Sequence, residues 1–322
     1  MDIEQLRARR EERRRSVRRR RRAAAGLILA VVAVVVAVVV LVGGSGKGSS
    51  AGRATALAGH AHASAASSAT GSAADASDKR TGPPGTDPVP ILMYHVIAAP
   101  PPGAAFPGLY VEPTEFAEQM QALKSAGWHA VTLDQVEEYW RRGVPLGPGK
   151  PIVISFDNGY NSQYTQALPV LRRLGWVGDE NLQLSGLPPS QGGLGEAQIR
   201  GLLAAGWELD TQGISHADLI TLDAAQLHYQ VVVARQTLQQ RYHVPVNWFC
   251  YPSGHYDPTV VAAVKAAGFL GSTTVVPGWA HPGDDPYRLH RLRVLGGTSA
   301  QALLSLLEDT RDAPAPPSSY SA

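Results

Sequence analysis

The rhythm of apolar and polar positions changes twice along the chain. Residues 23–42, AAAGLILAVVAVVVAVVVLV, run for 20 residues without a charge. Residues 43–87 have no periodicity and almost no large apolar side chain. From about Pro88 to Thr310, short β-branched runs alternate with stretches whose apolar residues recur at helical spacing. Val89–Met93 reads as a strand, and Thr114 opens a helix that buries Phe116, Met120 and Leu123 and stops at Gly127. Trp128–Leu133 is a strand and Leu133–Arg142 a helix, with Arg141 and Arg142 at its negative end. Ile152-Val153-Ile154 is fully apolar, the mark of a strand covered on both faces. Strands follow at Asn181–Leu184, Trp207–Thr211, Val246–Tyr251 and Phe269–Thr274, with a strand-like Tyr287–Val294. Between them lie helices through Leu168, Leu171 and Leu174, over Glu196–Ala205, Asp223–Tyr242 and Asp257–Ala267, and finally Ser299–Leu307. Strands alternating with helices of about 10–15 residues imply a parallel sheet, open or closed into a barrel.

Charge changes the reading of the first quarter. Residues 1–22 hold a dense arginine run beside the apolar segment. At 1.5 Å per residue, residues 23–42 span about 30 Å, the thickness of a bilayer core. A signal peptide has a shorter apolar region, of about 7–15 residues. We therefore expect an uncleaved transmembrane anchor, its N-terminus cytoplasmic and the rest of the chain outside. Residues 43–87, rich in Gly, Ala and Ser, are expected to form a disordered tether, 88–310 the folded domain, and 311–322 a second polar tail. The formal charge of +2 is concentrated in the basic head, so nucleic acid is not an expected partner. The single cysteine, Cys250, excludes an internal disulfide, and the domain must stand on its core. Nothing in the sequence sets an oligomeric state.

Candidate chemistry gathers where strands end. The apolar run at 152–154 stops at Ser155-Phe156-Asp157-Asn158-Gly159. His95 ends the first strand, Gln212 and His216 follow the strand at 207–211, and Cys250 to Gly254 close the next. In a parallel barrel these C-terminal ends converge on one mouth, where reactive groups are placed.

PVPILMYHVI, ISFDNGY, WELDTQGISHADL, FCYPSGHYD and PYRLHRLRV, in this order and spacing, resemble the polysaccharide deacetylases with a NodB-type domain, in the branch that opens on a Pro-Ile-Leu-Met-Tyr-His strand. The resemblance covers most of Pro88–Thr310. It implies a distorted (β/α) barrel and removal of N-acetyl, sometimes O-acetyl, groups from cell-wall or extracellular polysaccharide. It implies a divalent metal, zinc first, with cobalt or manganese as substitutes. Residue by residue, it implies Asp157 as general base and His95 as general acid. Asn158, Gln212 and His216 fall at its metal-ligand positions. Tyr251, Ser253 and Gly254 lie in its substrate and oxyanion turn, and Arg291 orients the base.

Two of those positions depart from the pattern. The family's second aspartate is Asn158 here, and its first histidine ligand is Gln212. Amide oxygens are weak ligands for zinc. The expected metal is therefore weakly held or absent. The alternative to hydrolysis is a catalytically impaired domain that binds glycan, with Trp248, Tyr256 and Trp279 as candidates for stacking on sugar rings.

Overall fold

The computed structural model describes residues 82–312, apart from 186 and 188–191. The basic head, the apolar segment 23–42, the tether up to 81 and the tail beyond 312 lie outside the described residues. Among the described residues no helix is long and apolar enough to cross a membrane.

The strands are β1 (Ile91–Tyr94), β2 (Trp128–Ala130), β3 (Lys150–Asn158), β4 (Asp179–Leu182), β5 (Glu208–Thr211), β6 (Trp248–Cys250), β7 (Gly271–Thr273) and β8 (Leu292–Arg293). They form one curled parallel sheet in the order β7-β6-β5-β4-β3-β1-β8, with β2 paired to the start of β3. The two ends of that order approach one another. Leu292 and Arg293 pair with β1, while Leu289 bridges Thr273 of β7. The expected parallel α/β fold is present as a curled half-barrel.

The helices are α1 (Pro113–Ser125), α2 (Leu133–Arg142), α3 (Leu168–Leu174), α4 (Glu196–Ala204), α5 (Ala224–His228), α6 (Ala234–Tyr242), α7 (Pro258–Ala266) and α8 (Ala300–Thr310). Wider turns precede α3 at Gln163–Ala167 and join α5 to α6 at Tyr229–Val233. The single helix expected over Asp223–Tyr242 is thus interrupted by one wide turn. Local chemistry sets the boundaries of α2. Thr132 and Gln135 form a reciprocal cap at its start, and Gly143 ends it at φ 65°, a conformation glycine adopts without strain.

Period-two alternation along β3 sorts its side chains. Ile152, Ile154 and Phe156 face the helices, in a core with Tyr94, Phe116, Leu171 and Trp207. Phe156 stacks on Trp207 at 4.9 Å. The opposite face carries Val153, then Ser155, then Asp157, so polarity rises toward the C-terminal end of the sheet. Val153 packs in a second cluster with Ile91, Leu133, Val136 and Trp248.

Two differences from the sequence reading have plain causes. The strand expected at Asn181–Leu184 begins at Asp179, because two buried acidic residues, Asp179 and Glu180, disguise its start. Residues 82–87, read as the end of the tether, bond to α2: the Gly82 and Gly85 amides donate to Arg142 and Tyr139. Gly85 fits there because a Cβ would meet the Tyr139 ring at 2.4 Å.

Candidate functional site

Asp157 is the penultimate residue of β3 and only 1% exposed. Arg291, reaching in just ahead of β8, grips it as a fork, Nη1 to Oδ1 at 2.7 Å and Nη2 to Oδ2 at 2.9 Å. Asn181 on β4 donates to Oδ1 at 3.0 Å. Burial alone would raise the Asp157 pKa, but the guanidinium overrides it and holds the carboxyl at about 2. Arg291, itself opposed by burial, is held well above its ordinary value by the same carboxylate. It also donates to the Thr274 carbonyl and the Ser155 hydroxyl, which fixes the fork in place. The Cys250 thiol lies 3.6 Å from Asp157 Oδ2 and 3.2 Å from Arg291 Nη2. Burial pushes that thiol up to about 12, so it stays protonated.

His95 follows β1, and its Nε2 sits 3.9 Å from Asp157 Oδ2. Its Nδ1 is buried without a partner. Burial, with Arg291 nearby and against the pull of Asp157, lowers its pKa to about 4, so the imidazole is neutral at physiological pH. Gln163 ties the two strand ends together, its Nε2 donating to the carbonyls of both His95 and Asp157.

Asn158 ends β3 at φ 79°, and its Nδ2 donates to Gln183 Oε1 at 3.0 Å. Gln212 is 2% exposed; its Nε2 points to Cys250 Sγ at 3.5 Å, and its Oε1 is buried without a partner. His216 sits at φ 51°, and burial lowers its pKa while Asp157 pulls the other way. Ser253 is exposed at φ 57°, beside Gly254 at φ 73°. A Cβ on Gly254 would meet Val275 Cγ2 at 2.2 Å, so this turn requires glycine. Tyr251 points away from the turn, donating to the Tyr287 carbonyl and stacking on Tyr256.

The structure thus joins Asp157 to Arg291 directly, places His95 nearby without a hydrogen bond to it, and links Gln212 to the pair through Cys250. Sequence reasoning missed Asn181, Gln183 and Gln163, which brace these groups. The available signal was a strand-length polar run, Asp179 to Gln183, between two apolar strands. The three aromatic residues expected to stack on sugar are corrected. Trp248, Tyr256 and Trp279 are buried, and Trp248 spends its indole N–H on Asp134.

The fold is thus a curled parallel sheet with a braced Asp–Arg pair at its C-terminal mouth. Comparison with known proteins shows what this chain is similar to. Residues 146–271 match the family model described as Polysaccharide deacetylase. The Bacillus subtilis protein YxkH, whose name assigns it provisionally to the polysaccharide deacetylases, is 26% identical over 223 residues, 69% of this chain and 77% of that protein. The Poly-beta-1,6-N-acetyl-D-glucosamine N-deacetylase of Escherichia coli K12 is 38% identical over 66 residues, 20% of this chain and 10% of that protein. The Streptococcus pyogenes deacetylase PplD, solved with acetate, superposes with a TM-score of 0.63 at 24% identity, over 69% of this chain and 98% of that one. Over residues 146–271 the chain is similar to the polysaccharide deacetylase family.

The family implies a divalent metal, and the residues here do not fit a zinc-type centre. Asn158, Gln212 and His216 offer two neutral amides and one imidazole, with no anionic ligand. The charge of Asp157 is already matched by Arg291. A dication in the mouth would have no counter-charge.

Proposed function

We propose that this chain is a membrane-tethered, extracytoplasmic protein that recognises N-acetylhexosamine units of a cell-wall or extracellular polysaccharide at the mouth of its sheet, without zinc-dependent hydrolysis. One observation carries the reading: the ligand positions hold Asn158, Gln212 and His216, while the Asp157–Arg291–Asn181 brace is intact. The result is a mouth in which the charges of Asp157 and Arg291 balance and the ligand positions are neutral. An acetamido group is uncharged too, with one N–H to donate and one carbonyl to accept. The orphaned Gln212 Oε1 is an acceptor for such an N–H. The membrane tether rests on residues 1–42, and the substrate class on the family and on the polymer named for the Escherichia coli relative.

A second reading keeps hydrolysis of the acetamide C–N bond. The retention of His95 at 3.9 Å from Asp157 favours it. There Asp157 would take the proton of the attacking water, and His95, neutral at rest, would first have to gain a proton and then pass it to the departing amine as the C–N bond breaks.

Purified full-length protein in detergent separates the two. It is assayed for acetate release from β-1,4- and β-1,6-linked N-acetylglucosamine oligomers, with zinc, cobalt or manganese added, and for binding of the same oligomers. The first reading expects binding that survives EDTA and no acetate. Metal-dependent acetate release that disappears in Asp157→Asn would overturn it and establish the second.

A further inference from the structure

Alongside and just below Asp157 in the sheet, on β4 and β5, lies a group of carboxylates the glycan reading does not use. Asp179 begins β4, and Glu208 and Asp210 lie on β5, where Glu208 pairs with Asp179 and Asp210 with Asn181. Oxygen atoms of Asp179, Glu208 and Asp210 all lie within 4.8 Å of one another. Each carboxylate has one oxygen fixed by a backbone N–H. Leu133 donates to Asp179 Oδ2 at 2.8 Å, Asp134 to Glu208 Oε2 at 3.0 Å, and Trp248 to Asp210 Oδ1 at 2.9 Å. The second oxygen of each, Asp179 Oδ1, Glu208 Oε1 and Asp210 Oδ2, is buried with no hydrogen-bond partner.

A separate residue repeats the pattern. Asn181 is fully buried on the same face of β4 as Asp179 and directly opposite Asp210. Its amide nitrogen goes to Asp157, and its Oδ1 is buried without a donor. Four side chains of one face therefore present a surplus of acceptors, relieved in part by the Thr132 side chain at Glu208 and by the contact between Glu208 and Asp210. Asp134 adds negative charge nearby, although its own oxygens are taken by Asn247 Nδ2 and Trp248 Nε1. Among the described residues, no lysine or arginine pairs with Asp179, Glu208 or Asp210. Unsatisfied buried acceptors cost free energy, and an all-oxygen, anionic set of this kind suits a hard cation rather than zinc.

We infer that Asp179, Glu208 and Asp210 bind a hard divalent cation of the calcium or manganese type, at a structural site that adjoins the mouth through Asn181. The site holds the N-terminus of α2 against β4 and β5. It acts on stability and takes no part in chemistry at Asp157.

The test uses the full-length protein in detergent, stripped with EDTA and desalted, near pH 8. Thermal unfolding is followed by tryptophan fluorescence against added CaCl2 or MnCl2, and bound metal is counted by elemental analysis. One equivalent of cation and a rise in Tm that grows with concentration are expected. Glu208→Gln, which keeps the size of the side chain at a partly buried position, should weaken binding at least about tenfold, the loss that even an outer-sphere partner produces. Asp210→Asn should abolish it, and His216→Ala, at the mouth, should leave it unchanged. The inference is overturned if neither ion is retained nor raises Tm, or if the rise persists in both Glu208→Gln and Asp210→Asn. In that outcome the carboxylates satisfy one another by sharing protons.

Discussion

Replacing Arg291 with leucine exposes how the mouth is held together. Arg291 and Asp157 are each 1% exposed, and the guanidinium supplies both bonds of a fork to a carboxylate that is otherwise in apolar surroundings or facing Asn181 and Cys250. Removing one partner of a buried ion pair leaves the other charged and desolvated, at a cost of about 3–5 kcal/mol. In a domain of this size each kcal/mol moves Tm by about 2–4 °C, so the expected fall is about 6–20 °C. The pH dependence gives a second handle. A carboxyl held at about 2 instead of 3.8 contributes roughly 2 kcal/mol. That stability is fully present above the unfolded pKa and is lost as pH falls through about 2. In Arg291→Leu, burial is left unopposed and the Asp157 pKa rises, so the deficit relative to wild type should narrow on acidification. Urea denaturation of both proteins between about pH 7 and pH 4, read by tryptophan fluorescence, measures it. A deficit below about 1 kcal/mol at pH 7, the size of an exposed pair, would refute the reasoning. So would a deficit that widens as the pH is lowered.

Glu180 is 1% exposed, neither of its oxygens has a partner, and burial with Asp157 nearby pushes its pKa well up. Glu180→Met should therefore raise stability by about 1 kcal/mol or more in urea, and a loss of that size would contradict the assignment. Cys250 should resist Ellman's reagent at pH 8 in the folded protein and react fully on unfolding, since its thiol is buried and raised to about 12. Gly254→Ala should lower Tm and oligomer affinity together, because a Cβ at φ 73° collides with Val275; unchanged affinity would detach this turn from the mouth. Glu208, raised by burial to about 7, should make the protein in EDTA lose stability as pH rises from about 5 to about 8, and added calcium should cancel that loss.

Most of the architecture was legible because the apolar pattern is strong. Ile152–Ile154 announces β3, Phe116, Met120 and Leu123 lie on the buried side of α1, and Thr132 with Gln135 marks the start of α2. Strands with polar interiors were harder. Asp179, Glu180 and Asn181 carry no β-branched signal, so β4 was placed two residues late, and the partner that braces Asp157 went unseen. The wide turns at Gln163–Ala167 and Tyr229–Val233 have no turn residues to betray them, since both occur within continuous helical pattern. At the site, His95, Asp157 and Arg291, singled out by the motifs, lie near one another. The roles of Trp248 and Tyr256 were misjudged because an aromatic side chain that packs in a core and one that stacks on sugar look alike in a sequence.

The claim that the mouth has exchanged a zinc centre for a neutral, amide-lined site is tested most directly by zinc titration. Wild type and the double variant Asn158→Asp/Gln212→His are compared by calorimetry after stripping. The variant regains one carboxylate and one imidazole beside His216, and should bind zinc at least about 100-fold more tightly than wild type, which should show no measurable heat at micromolar protein. Wild-type protein that carries one equivalent of zinc at the mouth through purification, or that binds it as tightly as the double variant, would contradict the account.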